Sequence, residues 1–320
     1  MIVESSWQSR AGSKKMAQKF DVHIIGCGSA LPTRRHLPSC QVVDVRDKLL
    51  LLDCGEGSQL AWRTTGLNWQ RITHIFLTHA HGDHVFGLPG FLSTMGLLGR
   101  KSPLYLHGPA SLKDYVEYMT AHFFADISYE IHFEIVDTTK HQCIFEDRSM
   151  EVWSLPLKHR IPCCGYLIKE KPELPHIRKE MIDFYEIPTW AINSIKTGED
   201  WKTPTGEMIP HTRLTMPAEP ARAYAYCSDT MPVQEMATWC EGVNLMYHEG
   251  TYAESESQLA EKYFHSTARQ AASIAQAAKV KKLLLGHFSS RYDNENILLK
   301  EAKEVFENTF LAHEGLKITL

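Results

Sequence analysis

Apolar and polar positions along the chain change in short blocks, not long runs. Residues 20–26 read as a strand ending on a glycine turn, and 41–45 with 48–53 read as a hairpin around Arg46-Asp47. A helix is expected over 56–65, closed by Gly66, then a short apolar strand over 73–78 and a helix over 83–98. Residues 103–106 read as a strand and 111–122 as a helix, with Ser111 placed to cap it. The second half repeats the alternation. Strands are expected over 152–157, 222–227, 243–247 and 282–285, and helices over 233–239, 266–277 and 295–306. Strands interleaved with helices predict an α/β layered domain over 20–320.

Two stretches depart from this pattern. Residues 169–215 hold five prolines and few buried-strand signals, and read as an inserted, protruding arm with one helix near 176–185. Residues 1–19 are polar and lack an apolar h-region. They read as a flexible tail, or as an over-extended start with Met16 as an internal initiator, and not as a secretory signal.

Composition narrows the class. A chain of 320 residues, 43% hydrophobic and 22% charged, is long enough for a sizeable core. Its longest apolar runs are strand-sized, far short of the roughly 18 residues a membrane span needs, so no membrane partner is expected. Eight cysteines without a Cys-x-x-Cys pair argue against a zinc ribbon or thioredoxin motif and read as reduced thiols of a cytoplasmic protein. The net charge of −4 does not announce a nucleic-acid binder, so any RNA contact must use local patches.

The strongest chemical signal is Thr78-His79-Ala80-His81-Gly82-Asp83-His84, an H-x-H-x-D-H string after an apolar strand and before a helix. Imidazole and carboxylate together suit a borderline-soft divalent ion, above all zinc. Gly82 is expected to relax the backbone where the ligands crowd. Four side chains cannot complete two sites, and three further candidates stand at predicted strand ends: His159, Asp229 and His287. Carboxyl ends of strands are where open α/β sheets present ligands.

This pattern resembles the metallo-β-lactamase superfamily, and local strings resemble its ribonuclease Z family. The strings are Gly26-Cys27-Gly28-Ser29-Ala30-Leu31-Pro32-Thr33, Leu52-Asp53-Cys54-Gly55-Glu56-Gly57, His248-Glu249-Gly250-Thr251, His265-Ser266-Thr267 and His287-Phe288-Ser289-Ser290-Arg291-Tyr292. The resemblance implies a four-layer αββα sandwich with residues 169–215 as an exosite arm. It implies two zinc ions, one on His79, His81 and His159, the other on Asp83, His84 and His287, with Asp229 bridging. It further implies a homodimer that removes the 3′ trailer from precursor tRNA.

On that reading two zinc ions supply a nucleophilic water near neutral pH, with Asp83 also serving as its base. No ribose 2′-hydroxyl is needed, so the products are a 3′-hydroxyl on the tRNA and a 5′-phosphate on the trailer. His265 is the candidate general acid, with Ser266 and Thr267 capping a helix whose start favours phosphate, and Glu249 orienting the imidazole. His248 is expected on the opposite face of its strand, in a structural role. Ser29, Thr33, Ser289, Ser290 and Arg291 are candidate RNA contacts, as is the cluster Arg34-Arg35-His36. The arm departs from the family by lacking a Gly-Pro tip, with Ile187-Pro188-Thr189-Trp190 in its place. It carries seven Lys+Arg against eight Asp+Glu, so it is not basic by formal charge, and Trp190, Trp201 and Lys196 are its candidates for gripping RNA through stacking and local pairing. Two alternatives stay open on the residues alone: another hydrolase on this scaffold, such as an arylsulfatase, a thioester hydrolase or a phosphodiesterase, and a non-enzymatic RNA-binding module.

Overall fold

Strands apolar on both faces must be covered on both faces, and β2 (Cys40–Val45) and β3 (Lys48–Leu52) show how. Val43, Leu50 and Leu52 enter the core between two sheets, whereas Val42, Leu49 and Leu51 pack with Trp62, Phe91, Leu92 and Val116 beneath a helical layer. A computed structural model describes residues 18–124 and 127–320; all but the last two residues of the tail expected over 1–19 lie outside them.

The first sheet adds β1 (Phe20–Gly26), β4 (Ile72–Phe76), β5 (Leu104–Gly108), β6 (Ile131–Ile135) and β18 (Lys317–Thr319), in the order β18-β1-β2-β3-β4-β5-β6. The second runs β17 (Thr309–Leu311), β16 (Leu283–Gly286), β15 (Leu245–Glu249), β14 (Ala223–Cys227), β9 (Cys164–Glu170), β8 (Met150–Pro156) and β7 (Cys143–Glu146). In each sheet the pairs from β3 or β14 outward to β6 or β17 are parallel and the remaining pairs antiparallel. Helices α1 (Ser58–Trp62), α2 (Gly82–Val85), α3 (Leu88–Leu97) and α4 (Lys113–Phe123) belong to the first half; α8 (Met236–Trp239), α9 (Ser257–Tyr263), α10 (Ala268–Ala277) and α11 (Asn296–Lys303) belong to the second. The buried alanines of α10 at 268, 271, 272 and 275 let it lie close on sheet two. Three tyrosines of sheet two reach across to sheet one: Tyr166 donates to Leu77 O at 2.6 Å, Tyr226 to Asp53 Oδ2 at 2.8 Å, and Tyr224 to Gln41. Each buries a ring and satisfies its hydroxyl.

Several expected helices are shorter, for local reasons. The helix expected over 56–65 is only α1, because Thr64 and Thr65 turn their hydroxyls onto the carbonyls of Ala61 and Trp62. The one expected over 83–98 is broken into α2 and α3 around Phe86-Gly87. Gly87 packs so closely on Gly55 that a Cβ there would sit 2.0 Å from its carbonyl oxygen, and Pro89 restarts the helix in its first turn. Ser111 lies in a 3-10 turn, Ala110–Leu112, before α4 and caps nothing. The expected 266–277 helix starts at Ala268 with Thr267 as cap, in a reciprocal box with Gln270.

The arm begins after Glu170, the last residue of β9, and has more structure than one helix. It holds β10 (His176–Ile177) paired with β13 (Thr215–Met216), β11 (Trp201–Lys202) paired with β12 (Met208–Ile209), α5 (Lys179–Phe184), α6 (Ile192–Lys196) and α7 (His211–Leu214). These enclose a core of Ile187, Ala191, Ile195, Ile209 and Leu214. Its base is clasped by Glu170, whose carboxylate accepts from Arg222 N, Nε and Nη2 at 2.7–3.0 Å.

Candidate metal centre

β4, β8, β14, β15 and β16 all run toward one edge of the sandwich, and their carboxyl ends carry the candidate ligands. After β4 the chain passes through His79 and His81 into α2, which starts at Gly82 and carries Asp83 and His84. Gly82 serves a different need from the one expected. It begins a helix without a left-handed turn, and what its missing side chain allows is the ring of Phe86, which a Cβ would meet at 2.3 Å.

The seven residues fall into two sets. His81 Nδ1 lies 3.0 Å from His79 Nε2 and 3.2 Å from His159 Nε2, and Asp229 Oδ2 is 3.8 and 3.9 Å from the latter two. In the second set His84 Nε2 lies 3.3 Å from both Asp83 Oδ2 and Asp229 Oδ1. His287 Nε2 is 3.5 and 3.2 Å from the same two oxygens. Asp229 thus turns one carboxylate oxygen to each set.

A layer of partners fixes each imidazole. His84 Nδ1 donates to Asp53 Oδ2 at 2.8 Å, and His79 Nδ1 to Thr78 Oγ1 at 3.0 Å, whose hydroxyl passes on to Asp53. His159 Nδ1 donates to Phe264 O at 3.0 Å, and His287 Nδ1 to Thr251 Oγ1 at 2.9 Å. In these four the other ring nitrogen is turned into its set. Sequence reasoning missed Asp53, Thr78, Thr251 and Phe264 as orienting groups. A signal existed for Asp53, which ends the apolar run of β3 as Asp229 follows that of β14. Both Asp53 and His287 hold left-handed backbone, at φ 54° and 57°, a strain that non-glycine residues keep where the site requires it.

The electrostatics suit cations. Burial, reinforced by neighbouring imidazoles, holds His79, His81 and His159 below the usual histidine range, so all three present neutral rings. Burial would raise the carboxyls of Asp83 and Asp229, but the histidines beside them hold both well below the usual carboxylate range. His84 Nε2 and His287 Nε2 are buried without a hydrogen-bond partner among the described residues. Buried ring nitrogens left without a partner beside ionised carboxylates are what a bound divalent ion satisfies, so the donor set fits a pair of metal ions.

His265 stands beside both sets, its ring 5.3 Å from those of His159 and His287. Glu249, fully buried, accepts from its Nδ1 at 2.9 Å and is itself held by Thr230 N at 2.6 Å and Thr251 Oγ1 at 2.5 Å. Burial opposes charge on His265, but Glu249 outweighs it and raises the ring to about 9; cations nearby act in the opposite direction. Ser266 and Thr267 are fully buried behind it, so the start of α10 is closed to a phosphate. His248 is buried in the sheet and bonds the carbonyl of Glu249, away from the ligand sets.

These groups open on a cleft of about 690 Å³ that Ser29, Ser289 and Arg291 line but Thr33 and Ser290 do not. Thr33 is occupied in a turn, accepting from the backbone of Arg35 and His36. In the Arg34-Arg35-His36 cluster, Arg35 is paired with Glu295 and His36 sits between Glu295 and Glu314.

Residues 20–116 match the family described as anti-Pycsar protein Apyc1. Ribonuclease Z of Parabacteroides distasonis is 50% identical over 301 residues, covering 94% of this chain and 99% of that protein. Ribonuclease Z of Bacteroides fragilis is 51% identical over 303 residues, covering 95% and 100%. Among solved structures, the short form of human tRNase Z gives a TM-score of 0.67 at 23% identity, covering 93% of this chain and 98% of that one. The metallo-β-lactamase fold protein YhfI of Bacillus subtilis gives 0.67 at 16%, covering 95% and 100%. At these identities the structural likenesses speak for the fold alone, the two-sheet sandwich described above.

Proposed function

Since this chain belongs to the ribonuclease Z family, and is on that footing a metal-dependent endoribonuclease, we propose that it holds two zinc ions and removes the 3′ trailer from precursor tRNA. The observation that carries this is Asp229, with one oxygen turned to each of two three-residue sets that His265 adjoins. Imidazole-dominated donors favour zinc over harder ions. When bound, the two ions lower the pKa of a water and neutralise charge on the phosphoryl oxygens.

The chain's own groups do the rest. Asp83 accepts a hydrogen bond from the attacking water and orients it. His265, fixed through Nδ1 by Glu249, delivers a proton from its other nitrogen to the leaving 3′-oxygen. The products are a 3′-hydroxyl and a 5′-phosphate. Aromatic side chains on the cleft wall, Phe86 and Tyr263, suit single-stranded RNA, whose unstacked bases take aromatic partners.

We assign the arm to the tRNA body. Trp190 and Phe184 are 77% and 74% exposed on it, which suits stacking rather than a basic clamp. It springs from the end of β9, and β9 runs antiparallel to β8 and β14, whose far ends lead to the metal ligands. Seven residues of strand, about 20 Å, separate it from the edge that carries the ligand sets. An arm so placed is better sited to serve the cleft of a second copy, which supports a homodimer.

The test is incubation with a 3′-extended tRNA precursor, mapping both new RNA ends. A 2′,3′-cyclic phosphate would overturn the proposed chemistry. Deleting residues 172–220 is expected to weaken precursor binding by on the order of 10²-fold while retaining hydrolysis of bis(p-nitrophenyl) phosphate. A parallel loss of both activities would place the arm in the catalytic unit instead.

A further inference from the structure

Two arginines line the cleft, and their charges are in different states. Arg291 donates to Glu256 Oε1 at 2.6 Å and lies over the Tyr252 ring, so its charge is matched within the protein. Arg160 has neither a carboxylate nor a hydrogen-bond partner among the described residues, and it is exposed. Its guanidinium is thus unmatched in a cleft that also holds Glu56, Asp83 and Asp229.

Its backbone is not loose. The preceding His159 is tied through Nδ1 to Phe264 O, Lys158 N donates to Thr230 Oγ1 at 3.0 Å, and Met231 N donates to Lys158 O at 2.9 Å. Leu157 N closes the loop onto Cys163 O at 3.3 Å. Arg160 is therefore mounted beside the first ligand set on a segment pinned to the residues around Asp229.

We propose that Arg160 is the specificity-determining cation of the cleft, pairing with the RNA phosphate next to the scissile one. The inference rests on the ribonuclease reading above. The two ligand sets, once loaded with metal, would account for the charge of the scissile phosphate. A polynucleotide brings a second phosphate one linkage away, which a small diester lacks. A planar guanidinium can take two of its oxygens at once, and an ammonium cannot. Arg160 thus separates polynucleotides from isolated phosphodiesters, and its contribution appears only with substrates that carry a flanking charge.

The experiment is a double-substitution cycle. Wild type and Arg160→Ala are each given a 3′-extended precursor with ordinary linkages, and precursors with one uncharged methylphosphonate on either side of the cleavage point. Metal content is measured for every variant, because His159 is adjacent. The expected result is that Arg160→Ala lowers kcat/KM on the ordinary precursor about 10–100-fold, the range of one charge-assisted contact. One of the two uncharged linkages should cost wild type a similar factor, and combining it with Arg160→Ala should cost little more than either alone. Arg160→Lys should fall between. Chelated protein binding uncleaved RNA should show the same order. Penalties that simply multiply, or an equal loss on bis(p-nitrophenyl) phosphate at full metal content, would overturn the assignment. If Arg160→Ala sheds metal, the cycle is repeated with Arg160→Gln. Wild type failing to cut the precursor at all would instead remove the ribonuclease reading on which the assignment rests.

Discussion

Asp229→Ala is expected to abolish phosphodiester hydrolysis and to remove most of the bound divalent metal. Each of its carboxylate oxygens faces a different ligand set, at 3.2–3.9 Å from four imidazole nitrogens. Losing it therefore strips a donor from both sites at once and leaves four imidazoles without the carboxylate between them. His79→Ala removes a donor from one set only and should lose one ion before the other. Asp229 stands beyond the end of β14 and not in either apolar core, so the variant should keep the circular dichroism and cooperative melting of the sandwich. Asp53→Asn acts one step back. It leaves all seven donors in place but disturbs the acceptor for His84 and Thr78, and metal affinity should fall about 10–100-fold. The measurements are metal per chain by elemental analysis and hydrolysis before and after chelation. A wild-type chain with no divalent metal, or one fully active after exhaustive chelation, would sink the reading.

What the sequence made legible follows from the range over which each signal acts. H-x-H-x-D-H is local, and its four side chains converge because a strand end and a helix start adjoin within six residues. His159, Asp229 and His287 were readable because each follows an apolar run, and the parallel strands deliver those ends to one edge. The partners that orient the imidazoles were less legible. Asp53 reaches His84 across 31 residues and Tyr226 across 173, and nothing local marks such a contact. Within the arm the helix expected near 176–185 is present as α5 (Lys179–Phe184), but the rest of its structure was hidden for a related reason. Its prolines hide a small core whose members, Ile187, Ile195, Ile209 and Leu214, sit on separate short elements with no shared period. Arg160 gave no sign at all, since an unpaired cation is defined by what fails to approach it.

His265→Ala should leave metal content intact and slow cleavage of the precursor by on the order of 10²–10⁴, the usual contribution of a positioned general acid. Among the described residues the His265 ring makes no hydrogen bond to either ligand set, and Glu249 is its hydrogen-bond partner, through Nδ1. A precursor whose scissile 3′-oxygen is replaced by sulfur has a leaving group that needs no proton, and it should recover most of the lost rate. Glu249→Gln gives a second and separable readout. The buried carboxylate raises His265 to about 9 against the cost of burial, and removing its charge must lower that value. An acid works only while protonated, so the rate falls as pH rises through its pKa. The alkaline limb of the pH–rate profile should therefore move to lower pH in Glu249→Gln, with a smaller loss at its optimum than in His265→Ala. A purely structural role for Glu249 would lower the rate without moving that limb. An unchanged rate in His265→Ala on the ordinary precursor would return the histidine to the wall of the cleft, and leave the leaving oxygen to be protonated by solvent.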